Sequence, residues 1–467
     1  MTVTRAPFFA AARPRLAALC LLTFVLTLAV RVWGISGRFW LLGDQIRDWG
    51  LALGPLTKLP LVGPATHVGG YTIGPAFYWI LWLIRVTVGP WFEQLPHAGG
   101  IGQALLQSVA DTLLLVAVWR RTGSAYFAAA VIVLLSTAGY DRALSAVVWN
   151  PVVGSTLAKA ATAVVLLEWH RGSALRVALT AALAWSAVHA YTGAIYVAVS
   201  VLCALLLDPL ADSGRRPGWR GVRRNALAIA SAVALLQIPY AAHQVLHQFG
   251  DSAMGAVADS VGRILSGRSL PEVAKSVTGY VASFDYIEVM PWKVPFTGWV
   301  LLGCGVVVAA RYRWEPLVLC MTILPQAMAI AGYSFFLAGL DHYYYLSLMP
   351  AAVVTIVLAA TAVPMPRVRH AIAVGMCVAA VLLVPARLRF AGTQHVMPEY
   401  RALVEGSRTI ARRGQAMRAI QTELKLPPTG DPEFLYAILG GRIDRTAPWV
   451  ALITSSGDVV YRNVVGP

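Results

Sequence analysis

The sequence predicts an all-α polytopic membrane protein with a small α/β domain at its C-terminal end. Three observations carry that prediction. Of 467 residues, 58% are hydrophobic and 13% charged, against roughly 25% charged in soluble domains. Mean hydropathy is +0.64. Apolar stretches close to the ~20 residues that cross a hydrocarbon core of ~30 Å recur at about 16–34, 73–90, 101–119, 125–139, 152–168, 176–191, 192–207, 226–247, 296–310, 316–338, 345–363 and 370–386. Finally, the +16 net charge gathers at the ends of these stretches. That placement is a topology signal, because Lys and Arg concentrate in cytoplasmic loops. It excludes nucleic acid as a partner and leaves the lipid bilayer.

The segment 16–34 follows Arg13 and Arg15, which places the N-terminus in the cytoplasm. Its length and aromatic flank mark a retained helix rather than a cleaved signal peptide. The first external loop, 35–72, follows and should hold interfacial helices. Segment 73–90 is a poor crossing: Gly74-Pro75 opens it, Arg85 interrupts it and Gly89-Pro90 closes it. If it spanned, Arg120-Arg121 and every later basic cluster would fall outside. As an interfacial or re-entrant helix, it leaves all of them inside. About eleven crossings result, in a bacterial-type inner membrane. The tail lies outside, with the loops at about 35–72, 140–151, 248–293 and 339–345.

Residues 1–386 form the transmembrane domain and 387–467 a small soluble extracytoplasmic domain. A helix at 398–424, a strand at 449–454 and a turn at Ser456-Gly457-Asp458 are expected in the latter. All five cysteines lie in apolar stretches and act as small hydrophobes, without disulfide or zinc spacing. There is no Walker loop, no HExxH and no sustained repeat.

The chain is organised around Leu41-Leu42-Gly43-Asp44-Gln45-Ile46-Arg47-Asp48-Trp49, ringed by Trp33, Phe39, Trp40 and Trp49. Aromatic residues favour the water–lipid boundary, and an acid and a base held there can act on a polar group whose lipid tail stays in the membrane. Asp44 is read as the proton acceptor of such a reaction. The plainer account is a helix cap at Asp44, with Asp48 favourable to the helix dipole. Other polar residues of the outer side are Lys58, His67, Asp141, Arg142, His189, Tyr191, Asp285, Glu288, Lys293, Asp341, His342 and Tyr343 to Tyr345. Asp141-Arg142 could be a local ion pair, His189 and Tyr191 a satisfied boundary pair, and Asp285, Glu288 and Lys293 solvated loop charges. As a set they suit proton abstraction by carboxylates and phosphate binding by cations.

These features resemble the C-type membrane glycosyltransferases, in particular the family 39 group of protein O-mannosyltransferases, lipid A aminoarabinose transferase and related bacterial enzymes. The resemblance covers roughly residues 13–365. It rests on Asp44-Gln45-Ile46-Arg47 opening the first loop, with Gln45 where that family often has a second acid. Gly74-Pro75-Ala76-Phe77-Tyr78-Trp79, Arg120-Arg121, Tyr140-Asp141-Arg142 and the run from His342 through Tyr345 to Pro350 then follow in family order. The resemblance implies a polyprenyl-phosphate sugar donor, with a lipid, glycan or protein acceptor. Asp44 would be the base, the anomeric carbon would invert, and Arg47 with Lys58 or His342 would hold the phosphate. Asp48, His67, Tyr71, Asp141, Arg142, Tyr343 and Tyr345 would line the substrate pocket. No cofactor is required, although a divalent metal, if present, would sit between Asp44 and Asp141. A transporter or flippase for a lipid-linked or sugar substrate, and a non-catalytic subunit of a cell-envelope assembly, are the competing classes.

Overall fold

The computed structural model describes residues 9–38, 43–66, 70–145, 147–211, 218–250, 252–267, 271–288, 290, 296–335, 340–394, 396–426 and 430–464. The order is α1 (Phe9–Val32), α2 (Ile35–Arg38), α3 (Gly43–Ala52), α4 (Ala76–Thr87), α5 (Leu95–Thr122), α6 (Ala125–Thr137), α7 (Gly139–Leu144), α8 (Asn150–Leu166), α9 (Ala174–Ala190), α10 (Ile195–Leu207), α11 (Trp219–Leu246), α12 (Ser252–Leu265), α13 (Val273–Ile287), α14 (Phe296–Arg311) and α15 (Pro316–Ser334). A 3-10 segment, His342–Leu348, leads into α16 (Met349–Thr361), and α17 (Pro366–Thr393) closes the helical bundle. Proline opens α5, α8, α15, α16 and α17. Its fixed φ suits the first turn, where its missing N–H breaks no bond. Gly123 ends α5 in the left-handed region at φ +67, a conformation glycine adopts without penalty.

Among the described residues, six segments are long and apolar enough to cross a membrane: α5, Thr192–Leu210, α11, α15, His342–Thr361 and α17. Shorter apolar helices include Leu16–Val32 in α1, α4, α6, α9 and α14. The 12 residues of α4 extend about 18 Å, well short of the ~30 Å core. Arg85, which disqualified it as a crossing, donates to Leu53 O (2.6 Å) and Gly54 O (3.0 Å), the carbonyls just past α3.

Contacts fix which ends lie together. At one end, Arg142 of α7 donates to Val30 O (2.9 Å) and Trp33 O (3.3 Å), beside the end of α1. His342 meets Ser283 of α13 there, and Tyr140 meets Tyr286. At the other end, Arg121 pairs with Glu168 at 2.9 Å, and Arg171 and His170 converge on Asp208. Residues 33–94 therefore start and finish at the same end of the bundle. The grouping of loops expected from charge is the one observed.

The C-terminal domain holds α18 (Tyr400–Arg412), β1 (Ala419–Thr422), α19 (Pro432–Ile438), β2 (Trp449–Ile453) and β3 (Val459–Asn463). The sheet order is β1-β2-β3. Ile420 pairs with Ala451 in the parallel ladder, and Ala451 with Tyr461 in the antiparallel one. The helix expected over 398–424 is shorter: it stops near Gly414, at φ +67, and the chain turns into β1. That strand exists because β2, far along the chain, supplies its hydrogen bonds.

One apolar cluster joins this domain to the first loop. It runs from Ile35, Trp49, Phe77 and Leu81 to Met397, Tyr400, Leu403 and Val404. Met397 N donates to Gly37 O (3.3 Å), and Arg408 Nε to Glu93 Oε1 (2.8 Å). Within the cluster, Trp49 is 1% exposed and lies over Gly99, where a Cβ would stand 2.3 Å from Trp49 Cζ2 and 2.9 Å from Val148 Cγ2. Gly99→Ala is therefore expected to unseat the indole and cost about 1–3 kcal/mol, the usual price of overpacking. The thermal midpoint in detergent would report it, and an unchanged midpoint would show that the indole can shift freely.

Candidate functional site

The amphipathic α3 places Asp44, Arg47 and Asp48 along one side, one turn apart, because residues three and four apart share a helix face. Arg47 lies between the two carboxylates. It donates from NH1 to Asp44 Oδ1 (3.0 Å) and from Nε to Asp48 Oδ1 (2.9 Å). The Asp44 and Arg47 side chains are 50% and 41% exposed, whereas Asp48 is 2% exposed. Tyr78 of α4 donates its hydroxyl to the same Asp48 oxygen at 3.0 Å. Burial pushes the Asp48 carboxyl above its usual range, opposed by the bonds from Arg47 and Tyr78. The side is thus an exposed acid, a half-exposed guanidinium and a buried anchor.

The other expected site residues distribute around this end. Lys58 is exposed in the turn Leu56–Lys58. Tyr71 is 44% exposed and lies edge-on to His243, with ring centroids 5.7 Å apart. His67 and Lys293 lie outside the described residues. His342 Nδ1 is 2.9 Å from Ser283 Oγ, and its ring stacks on Tyr286 at 4.0 Å. Tyr343 is buried against Trp149 (4.8 Å) and Tyr344 (4.7 Å). Tyr345 packs deeper, on Tyr333 (5.2 Å) and Tyr280 (5.8 Å).

Asp141 and Arg142 do not form the local pair that their adjacency suggested. Arg142 caps the end of α1 as described above. Asp141 Oδ2 accepts from Arg31 NH1 (2.9 Å) and Oδ1 from Gln107 Nε2 (3.2 Å). Arg31 NH2 also reaches Asp111 Oδ2 (2.7 Å), whose other oxygen accepts from Lys159 Nζ (2.7 Å). All four charged groups are buried. Two cations and two anions balance in a space where an unpaired charge would be very costly. Asp44 and Asp141 consequently have different partners, and among the described residues no group of three or more His, Cys, Asp or Glu could hold a metal ion.

Glu288, expected as a solvated loop charge, is instead 1% exposed. Its Oε2 accepts from Arg387 NH2 at 2.7 Å. With Asp141, Ser155 and Lys159 it lines a cavity of about 10 Å³, the size of one water. Burial outweighs the nearby Arg387 charge and pushes the Glu288 carboxyl up to about 7. A folded value above the unfolded one of about 4.3 means that the native state holds the extra proton. The associated stability is complete below about 4.3 and is lost as pH rises through about 7. Glu288→Gln should flatten that decline when thermal midpoints at pH 5 and pH 8 are compared; an unaltered slope would remove Glu288 as its source.

His189 and Tyr191 are likewise not the satisfied pair anticipated. His189 is fully buried against Gly63 and Gly74 of the first loop. Among the described residues neither of its ring nitrogens, nor the Tyr191 hydroxyl, meets a hydrogen-bonding partner. Tyr78, Asp111, Lys159 and Arg387 were not singled out from the sequence. Asp111 and Lys159 had a visible signal: each is a charge inside an apolar stretch, and their signs are opposite.

No family model matches the chain, and no curated protein matches it. Among solved structures, ArnT from Cupriavidus metallidurans bound to undecaprenyl phosphate is similar over 92% of this chain and 84% of that one, with a TM-score of 0.50 at 14% identity. The apo form of the same protein gives a TM-score of 0.42 at 15% identity, covering 91% of this chain and 85% of that one. The fold of this chain is an ArnT-like polytopic helical fold, and this chain carries a small three-stranded sheet near its C-terminal end. The fold expected from the resemblance is the fold observed.

Proposed function

We propose that the chain is a C-type membrane glycosyltransferase that moves a sugar from a polyprenyl-phosphate donor to an acceptor at the first-loop end of the bundle, on the extracytoplasmic side. The observation that carries this reading is the fold shared with ArnT, whose crystal structure holds undecaprenyl phosphate. The site geometry supports it. Asp44 is exposed enough to meet an acceptor hydroxyl or amine, and the Arg47 guanidinium stands 3.0 Å away.

In this scheme Asp44 takes the acceptor proton while the acceptor atom bonds to the anomeric carbon from the face opposite the phosphate. The bond from that carbon to the phosphate oxygen breaks, the electron pair leaves with polyprenyl phosphate, and the configuration inverts. Arg47 commits its Nε hydrogen to Asp48 and one NH1 hydrogen to Asp44. A guanidinium carries five N–H donors, so N–H groups on NH1 and NH2 remain for the phosphate as its negative charge grows. Lys58, exposed in the same loop, is assigned a supporting role. His342 is engaged by Ser283 and Tyr286, so the phosphate role falls to Arg47 and Lys58.

The test is transfer by purified protein from a polyprenyl-phosphate-linked sugar, together with mass spectrometry of lipids that co-purify. Transfer accompanied by bound polyprenyl phosphate is the expected result. Gradient-driven uptake into proteoliposomes without transfer would replace the enzyme reading by the transporter one.

A further inference from the structure

We propose that Asp48 and Tyr78 are positioning residues that hold the Arg47 guanidinium, and through it Asp44, in the geometry for proton transfer. The inference rests on the reading of Asp44 as base and reassigns Asp48, which was expected to touch substrate. At 2% exposure its carboxylate faces protein, and substrate cannot reach it.

The argument begins with what α3 lacks by itself. An exposed pair three residues apart on a helix holds its geometry loosely, because two flexible side chains are screened by water. Asp44 and Arg47 are such a pair, half-exposed on both sides. Asp48 changes that. Its Oδ1 accepts from Arg47 Nε at 2.9 Å and from the Tyr78 hydroxyl at 3.0 Å, with Arg47 NH2 in ion-pair contact at 2.9 Å. Tyr78 is itself 3% exposed, fixed in α4 beside Phe77 at a ring distance of 5.6 Å. The chain of contacts therefore runs from a rigid aromatic, through a buried carboxylate, to an exposed guanidinium and then to Asp44. The first two groups are buried and the last two half-exposed. A buried carboxylate needs both donors to compensate its lost hydration, so the carboxylate is held as firmly as it holds.

This arrangement separates orientation from binding. Removing the Tyr78 hydroxyl leaves Asp44, Arg47 and the exposed surface chemically unchanged, but frees Asp48 and the guanidinium to move. Misplacement of a catalytic group by a remote change typically slows the chemical step by about ten- to a hundredfold. The donor's KM should stay close to wild type. The split between a lowered kcat and an unchanged KM is the signature, because a change that only loosens the fold would not separate the two.

The experiment uses full-length protein in lipid nanodiscs with a polyprenyl-phosphate-linked sugar, comparing wild type, Tyr78→Phe, Asp48→Asn and Asp44→Asn. Circular dichroism and the thermal midpoint certify folding. Tyr78→Phe is expected to lower kcat by the stated factor and leave KM within about twofold. Asp48→Asn, which also loses the charge facing Arg47, should fall further. If both variants keep wild-type kcat and lose only thermal stability, the pair is structural and the positioning role is overturned, while the base reading stands. Should Asp44→Asn turn over like wild type, the base reading fails and takes this inference with it.

Discussion

Asp44→Asn is expected to leave the protein folded and to reduce transfer by about a hundred- to ten-thousandfold, the range for loss of a general base. Asparagine has the shape of aspartate and still accepts from Arg47, so α3 should keep its place. Because the Asp44 side chain is 50% exposed, the stability change should stay within about 0.5 kcal/mol. The measurement is single-turnover transfer by protein whose thermal midpoint matches wild type. Donor binding, followed by co-purified polyprenyl phosphate, should survive, since the substitution removes no cation. Transfer within a few-fold of wild type would disprove the proposed base.

Arg31→Met should produce the largest stability loss of any single change considered. The side chain is fully buried, and its guanidinium is the partner of both Asp111 and Asp141. Breaking a buried ion pair by removing one member costs about 3–5 kcal/mol, because the other charge stays behind unpaired. Here the residue left is a net negative charge: Lys159 alone faces two carboxylates. The double variant Arg31→Met with Asp141→Asn restores neutrality, pairing Asp111 with Lys159, while Gln107 can still donate to the new amide. It should therefore be more stable than the single variant, a coupling expected only between directly interacting groups. Thermal midpoints of wild type, both singles and the double in one detergent decide it. A double variant no better than Arg31→Met would show that shape, rather than charge balance, governs this locus.

The helices were legible because lipid imposes a long apolar run on each crossing, and no soluble core needs so many of them. The exclusion of 73–90 was legible for a different reason. Arg120-Arg121 forced it by sidedness, and Gly74, Pro75 and Arg85 agreed. The α3 side was legible as chemistry, since an acid and a base one turn apart on a helix stay neighbours whatever surrounds them. What surrounds them was not. Tyr78 lies 30 residues from Asp48, and Arg31 lies 80 and 110 residues from its two carboxylates. Glu288 and Arg387, 99 residues apart, read separately as a loop charge and a domain boundary. Local pattern reports which face a side chain takes on its own element and carries no information about the partner waiting there. The shortened α18 is the same lesson in backbone: residues 413–424 have helix-compatible composition, and only the distant β2 makes part of them a strand.

The union of Ile35 and Trp49 with Met397, Tyr400 and Leu403 has a consequence for biosynthesis. The ribosome delivers the first loop early, when the helix that will cover its flank has not been made. That loop must reach its side of the bilayer and wait, its apolar flank uncovered, until roughly the last seventh of the polypeptide emerges. A chain stopped just before Met397 would carry every membrane helix and still never finish its first loop. Birth order and folding order part company here, and quality control can read the difference.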